Sequence, residues 1–177
     1  MLPQPTAASS EAAATYDAFL ATVRGSTATL TAAGYDEMVF EDYLDETLAL
    51  FENARSWTKE ELEVQAADEG LWNGVVFFLK LLTAAHIKLH PDDFTPFIAS
   101  TTGLSITAFC SSQVEAMWVE CDHLQIVAAV GALGVAAQIW YLDGAGGEIN
   151  GHIFPDGAAP LVSLLFRPGH YDVLNLT

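Results

Sequence analysis

Leu161-Val162-Ser163-Leu164-Leu165-Phe166-Arg167-Pro168-Gly169-His170-Tyr171-Asp172-Val173-Leu174 reads as two strands, residues 161–167 and 170–174, divided by a Pro-Gly pair. Proline cannot donate to a strand ladder and glycine accepts left-handed backbone, so the pair marks a turn between apolar runs. The strand spacing extends upstream to residues 135–142 and to a piece around 152–154. The Gly-rich stretch Asp143-Gly144-Ala145-Gly146-Gly147 reads as a flexible hairpin tip.

Before position 135 the period is helical. Ser9 or Ser10, followed by Glu11 and an Ala-rich run, predicts a capped helix to about Val23, stopped by Gly25. In residues 40–54, Phe40, Tyr43, Leu44, Thr47, Leu48 and Phe51 follow the i, i+3, i+4 rule, with Glu41, Asp42, Asp45, Glu46 and Glu52 opposite them. Thr58 and Glu61 have capping-box spacing for a short helix over 56–68, and residues 71–89 are apolar nearly all round. Residues 91–102 read as a loop, 105–114 as a helix, and 122–134 as a helix capped by Asp122. Helices first, then a mostly local sheet, predict an α+β fold.

A chain of 177 residues, 51% hydrophobic and 16% charged, is the size and composition of one packed domain, which excludes a disordered polypeptide. Its formal net charge of −17 repels phosphate backbones and anionic lipid headgroups, disfavouring nucleic acid and membranes and leaving basic protein surfaces as partners. Fourteen of the 23 acidic side chains precede Gly70, so the front half is the more solvated. The first residues lack the basic start and apolar run of a secretory signal, so the cytoplasm or nucleus is expected. Residues 126–137, the most membrane-like stretch, are too short to span a bilayer and read as core.

Residues two apart on a strand project from one face, so His170 and Asp172 stand side by side and the carboxylate can orient the imidazole as in nucleophilic enzymes. Spacing alone suits a hydrogen-bonded turn histidine better still. Cys110 and Cys121 read as inert core thiols. His86 and His90, at i and i+4, lack a third ligand at metal spacing and read as histidines placed at a helix C-terminus. No cofactor is indicated.

The segments Asp93-Phe94, Phe109-Cys110, Cys121-Asp122-His123-Leu124-Gln125-Ile126, Ile139-Trp140-Tyr141-Leu142-Asp143, His152-Ile153-Phe154-Pro155-Asp156-Gly157 and Leu165 to Leu174 closely resemble the C-terminal half of otubains. These are ubiquitin-specific cysteine proteases of the ovarian-tumour superfamily. The resemblance fades through the helices back to about Phe19 and implies a variable segment 1–18 before a single domain 19–177. It further implies a papain-like fold, with a helical N-terminal lobe packed on a small, mostly antiparallel sheet.

On that resemblance His170 is the general base and Asp172 its orienting acid. The family's nucleophile lies in an Asp-Gly-Asn-Cys motif that projects to or before Met1, and residues 1–17 hold no Cys. The expectation is therefore a domain short of its first structural piece and impaired in catalysis. The implied partners are ubiquitin or polyubiquitin, with a ubiquitin-conjugating enzyme or another protein as a further one. Asp122, His123, Gln125, His152, Phe154, Gly169 and Tyr171 are the implied ubiquitin contacts. Two alternatives stand beside this one: an active otubain-type deubiquitinase with a longer sequence, and a structural subunit that kept only the fold.

Overall fold

The computed structural model describes residues 7–142 and 150–174; the Gly-rich tip at 143–147 lies outside them. Eight α-helices precede four strands among the described residues. The first, α1 (Ala7–Arg24), begins before Ser9 and Ser10, so neither opens the helix as expected. A short α2 (Ser26–Ala32), not anticipated from the sequence, follows Gly25 at once. In α3 (Glu37–Ala54) Asp36 is the N-cap, its side chain accepting from the Met38 N–H at 3.0 Å, three residues ahead of the predicted start. The helix α4 (Lys59–Ala66) carries the predicted capping box: Glu61 N–H donates to Thr58 Oγ1 at 3.2 Å and Thr58 N–H to Glu61 Oε2 at 2.7 Å.

The 21-residue α5 (Glu69–Leu89), capped by Asp68, is the axis of the helical lobe. Its length and composition would let it cross a membrane, a feature that the stretch at 126–137 was expected to show best. Here half of its most apolar window is buried inside the fold. Phe78, Leu81, Leu82 and Ala85 close one core with Phe19 and Val23 of α1, Leu30 of α2 and Phe40 and Leu44 of α3. On its other side Ala84 and Ile87 close a second core with later elements.

The first of these later elements, α6 (Pro91–Thr102), corrects the loop expected there. Pro91 occupies the first helical position, where the missing N–H has no intrahelical partner in any case, and Asp92 and Asp93 complement the helix dipole. Gly103, at φ 69, ends the helix. The single helix expected over 105–114 is α7 (Ile106–Phe109), followed by a π-helical turn, Cys110–Val114, in which Glu115 N–H reaches Cys110 O at 2.8 Å. The last helix, α8 (His123–Leu133), has the predicted Asp122 cap and packs along α5.

The strands β1 (Ala137–Tyr141), β2 (Asn150–Phe154), β3 (Val162–Arg167) and β4 (His170–Leu174) form one sheet in the order β2-β1-β3-β4. The β1–β2 and β3–β4 pairs are antiparallel, as expected of a mostly antiparallel sheet. The central β1–β3 pair is parallel, so the sheet is mixed and joins strands distant in sequence. Pro168 and Gly169, at φ 77, turn the β3–β4 hairpin and set Arg167 opposite His170, Phe166 opposite Tyr171 and Leu165 opposite Asp172.

Candidate functional site

That register places Arg167, His170 and Asp172 on one sheet face and Phe166 with Tyr171 on the other. His170 Nε2 lies 3.1 Å from Asp172 Oδ1, and the Arg167 guanidinium donates to Asp172 Oδ2 at 2.8 Å. The hydrogen bond from His170, opposed by desolvation and assisted by the charge and hydrogen bond of Arg167, holds the Asp172 carboxyl below its ordinary value. A carboxylate only accepts, so the proton on the ring sits at Nε2. Nδ1, with no hydrogen-bond partner among the described residues, keeps its lone pair for a proton from elsewhere. This is the geometry of an oriented general base.

His170 lines a cleft of about 270 Å³ with Glu120, Cys121, Asp122, Phe166, Gly169 and Tyr171. Cys121 also lines this cleft and is exposed, which corrects the core position expected for it. The reason is its place in the extended segment just before the α8 cap, outside any helix that would turn it inward. Cys110 follows expectation: it is fully buried, its Sγ directed at Ala84 O (3.8 Å), and burial pushes its thiol up to about 11. Burial, with the charges of Tyr141, Asp122 and Cys121, raises the Tyr171 hydroxyl to about 12, so it stays protonated as a donor at neutral pH.

Next to the cleft lies a groove of about 540 Å³ walled by Asp122, His123, Tyr141, Asn150, His152, Phe154, Phe166 and Tyr171. It is built from aromatic contacts: His123 on Phe154 at 5.0 Å, Tyr141 on His152 at 5.6 Å, Tyr141 on Phe166 at 5.5 Å and Phe166 on Tyr171 at 4.9 Å. A 2.9 Å hydrogen bond between His123 Nδ1 and Tyr141 Oη ties the start of α8 to β1. The residues singled out in the sequence thus converge: Asp122, His123, His152, Phe154 and Tyr171 in the groove, and Gly169 with His170 in the cleft.

Gln125 is the exception. It is 4% exposed, its Oε1 accepts from the Asp122 N–H at 2.6 Å and its Nε2 donates to Gln113 O at 3.2 Å. It positions Asp122 and His123 rather than meeting a partner. Tyr141, Phe166 and Arg167 were not singled out as site residues. Only the cross-strand register, which repeats the alternation of β3 against β4, carries a signal for them.

The paired His86 and His90 rings stack at 4.2 Å, and burial first, then the His90 charge, lowers the His86 pKa. Among the described residues no three His, Cys, Asp or Glu side chains are gathered as a metal site.

A family model described as Peptidase C65 Otubain matches residues 8–175. The chain is 37% identical over 147 residues to ubiquitin thioesterase OTUB1 of Homo sapiens, covering 82% of this chain and 54% of that protein. It is 36% identical over 146 residues to ubiquitin thioesterase OTUB2 of Homo sapiens, covering 82% of this chain and 62% of that protein. It thus spans about half to three-fifths of the length of these relatives. Among solved structures, the complex of h/ceOTUB1 with ubiquitin aldehyde and UBC13~Ub superposes with a TM-score of 0.80 at 30% identity, covering 89% of this chain and 64% of that one. The corresponding complex with UBCH5B~Ub superposes with a TM-score of 0.81 at 31% identity, covering 89% and 63%. With the family model spanning residues 8–175 and the folds superposing, this chain belongs to the otubain family of C65 peptidases.

Proposed function

We propose that these residues form a ubiquitin-recognising otubain module that carries the base half of a thiol isopeptidase site. The supporting observation is the His170–Asp172 pair, Nε2 to Oδ1 at 3.1 Å, at a residue that lines a cleft with Gly169 and Tyr171. A narrow cleft at a glycine turn admits an extended chain end without side chains, and the aromatic groove beside it supplies the apolar contact area. The relatives are named ubiquitin thioesterases, and the superposed structures hold ubiquitin together with the conjugating enzymes UBC13 and UBCH5B. Ubiquitin and a ubiquitin-conjugating enzyme are accordingly the proposed partners here. Two free thiols suit a reducing compartment, the cytoplasm or nucleus.

Cleavage of an isopeptide bond on this plan has a thiolate attack the carbonyl while the imidazole takes the thiol proton and later returns one to the leaving amine. Neither thiol is suited to the nucleophile's part. Cys110 is buried with a raised pKa. Cys121 lies outside the motif that the family resemblance requires. These 177 residues alone are therefore expected to bind and not to cleave.

Titration with ubiquitin, together with incubation with Lys-linked diubiquitin and a ubiquitin C-terminal electrophile, tests this. The expected result is saturable binding that perturbs His123, His152 and Tyr171, with neither cleavage nor adduct. Turnover would make the chain an active deubiquitinase as it stands; no binding would leave the structural-subunit reading.

A further inference from the structure

Trp118 is 83% exposed and its backbone has φ 64. Left-handed backbone is uncommon outside glycine and asparagine, and a bulky aromatic there is an outlier. Glycine or asparagine would serve this turn better for folding, so stability does not account for an indole projecting into water.

The turn is nonetheless held firmly from behind. Lys80 Nζ donates to the carbonyls of Val114 at 3.1 Å and Val119 at 3.5 Å, one on each side of Trp118. Lys88 pairs with Glu115 at 2.8 Å, and Tyr35 Oη donates to the same carboxylate at 2.7 Å. Two of the chain's six Lys and Arg residues thus fix one short turn. Beside Trp118, an open ledge of about 480 Å³ is formed by Met117, Tyr43, Phe77 and Gly74, with Glu46 at its edge. Tyr43 and Phe77 meet edge to face at 5.0 Å. Gly74 keeps the floor low, since a Cβ there would lie 3.0 Å from the Glu46 carboxylate and 3.3 Å from the Tyr43 ring.

Charge selects what fits this ledge. Arg24 pairs with Glu52, Arg55 with Asp17, Lys59 with Glu63 and Arg167 with Asp172, so with Lys80 and Lys88 engaged every Lys and Arg has an acceptor within the chain. Asp42, one turn from Glu46 on α3, and Glu69, just before Gly70, are exposed and have no Lys or Arg partner among the described residues. A second copy at −17 brings like charge and no spare Lys or Arg. A segment with one large apolar side chain between Lys or Arg residues places the apolar group on the indole, and its cations over the rings and against the carboxylates. We propose that Trp118 and the Tyr43–Phe77 ledge dock such a basic, apolar-centred segment of a partner protein.

The test is NMR of the indole N–H signals of the whole chain at low salt, with the peptide acetyl-Lys-Arg-Leu-Arg-Lys-amide as probe. A saturable shift of the Trp118 signal that weakens with salt is expected. The same peptide with Ser in place of Leu, and a Glu-Glu-Leu-Glu-Glu peptide, should bind at least about tenfold more weakly. Trp118→Gly, which suits φ 64, should keep or raise the thermal midpoint while weakening probe binding, by calorimetry, at least about tenfold. The proposal is overturned if the Leu and Ser peptides bind alike, if the probe leaves Trp118 unmoved, if Trp118→Gly binds as wild type, or if that variant is clearly destabilised. Ubiquitin binding is read separately on the groove residues, so each reading stands or falls alone.

Discussion

His170 and Asp172 face each other from one side of β4, Nε2 to Oδ1 at 3.1 Å, while Arg167 across the hairpin turn holds the second carboxylate oxygen at 2.8 Å. Both carboxylate oxygens are thereby engaged and one ring nitrogen is left free. The hairpin register alone achieves this, because Arg167 pairs with His170 and alternation brings Asp172 to the same face.

The pair has a pH signature. The folded-state pKa of Asp172 is lowered, so the native state binds fewer protons there than the unfolded chain. Its contribution to stability is present above the unfolded carboxylate value and is lost as pH falls through the folded one. Thermal midpoints between about pH 2 and pH 5 should fall less steeply for Asp172→Asn than for wild type. The same variant should lose its strong preference for the Nε2–H tautomer of His170 in long-range ¹H–¹⁵N spectra. An unchanged tautomer would show that the carboxylate does not orient the ring.

Burial separates the two cysteines, leaving Cys121 exposed and Cys110 enclosed with its thiol pKa pushed up. Iodoacetamide at neutral pH should add a single label to the native chain, on Cys121, and two under denaturant, as read by intact mass and peptide mapping. Labelling of native Cys110 at a comparable rate would contradict its burial.

Gln125→Ala removes two hydrogen bonds at a buried site and leaves the Asp122 N–H and the Gln113 carbonyl unmatched. A loss of about 2–3 kcal/mol in denaturant unfolding is expected, with weaker ubiquitin binding through displacement of His123. His123→Ala, on the exposed rim, should weaken binding without that loss of stability.

Thr47 is fully buried on α3, and its hydroxyl has no partner among the described residues. Thr47→Val keeps the shape and removes the polar group, so unfolding in urea should show stabilisation of about 1 kcal/mol.

The legible parts of the fold were those governed by neighbours in sequence. The Thr58–Glu61 capping box, the Asp122 cap, the apolar face of residues 40–54 and the hairpin at Pro168-Gly169 depend on spacings of two to four residues, which the chain displays directly. Residues 91–102 read as a loop because they hold two prolines, yet Pro91 sits at the first helical position, where no N–H is needed, and the helix continues through the internal Pro96; the acidic pair Asp92 and Asp93 after Pro91 is the local start signal. The α2 helix was missed because its seven residues, Ser26–Ala32, are short and rich in threonine, and burial of Ser26 and Leu30 holds them in place.

The site divides in the same way. Sequence alone determined the acidic α+β character and the His170–Asp172 pairing, because composition sets charge and the strand period of two sets which side chains share a face. Tertiary structure decided that β1 runs parallel to β3, that Cys121 enters the cleft, that Gln125 turns inward, that Tyr141, Phe166 and Tyr171 complete one groove, and that Lys80 and Lys88 brace Trp118. Apart from Gln125, whose bonds span three and twelve positions, each of these joins residues tens of positions apart. Such contacts form only when burial of the shared cores offsets the entropy of closing long loops, a balance that no local spacing records.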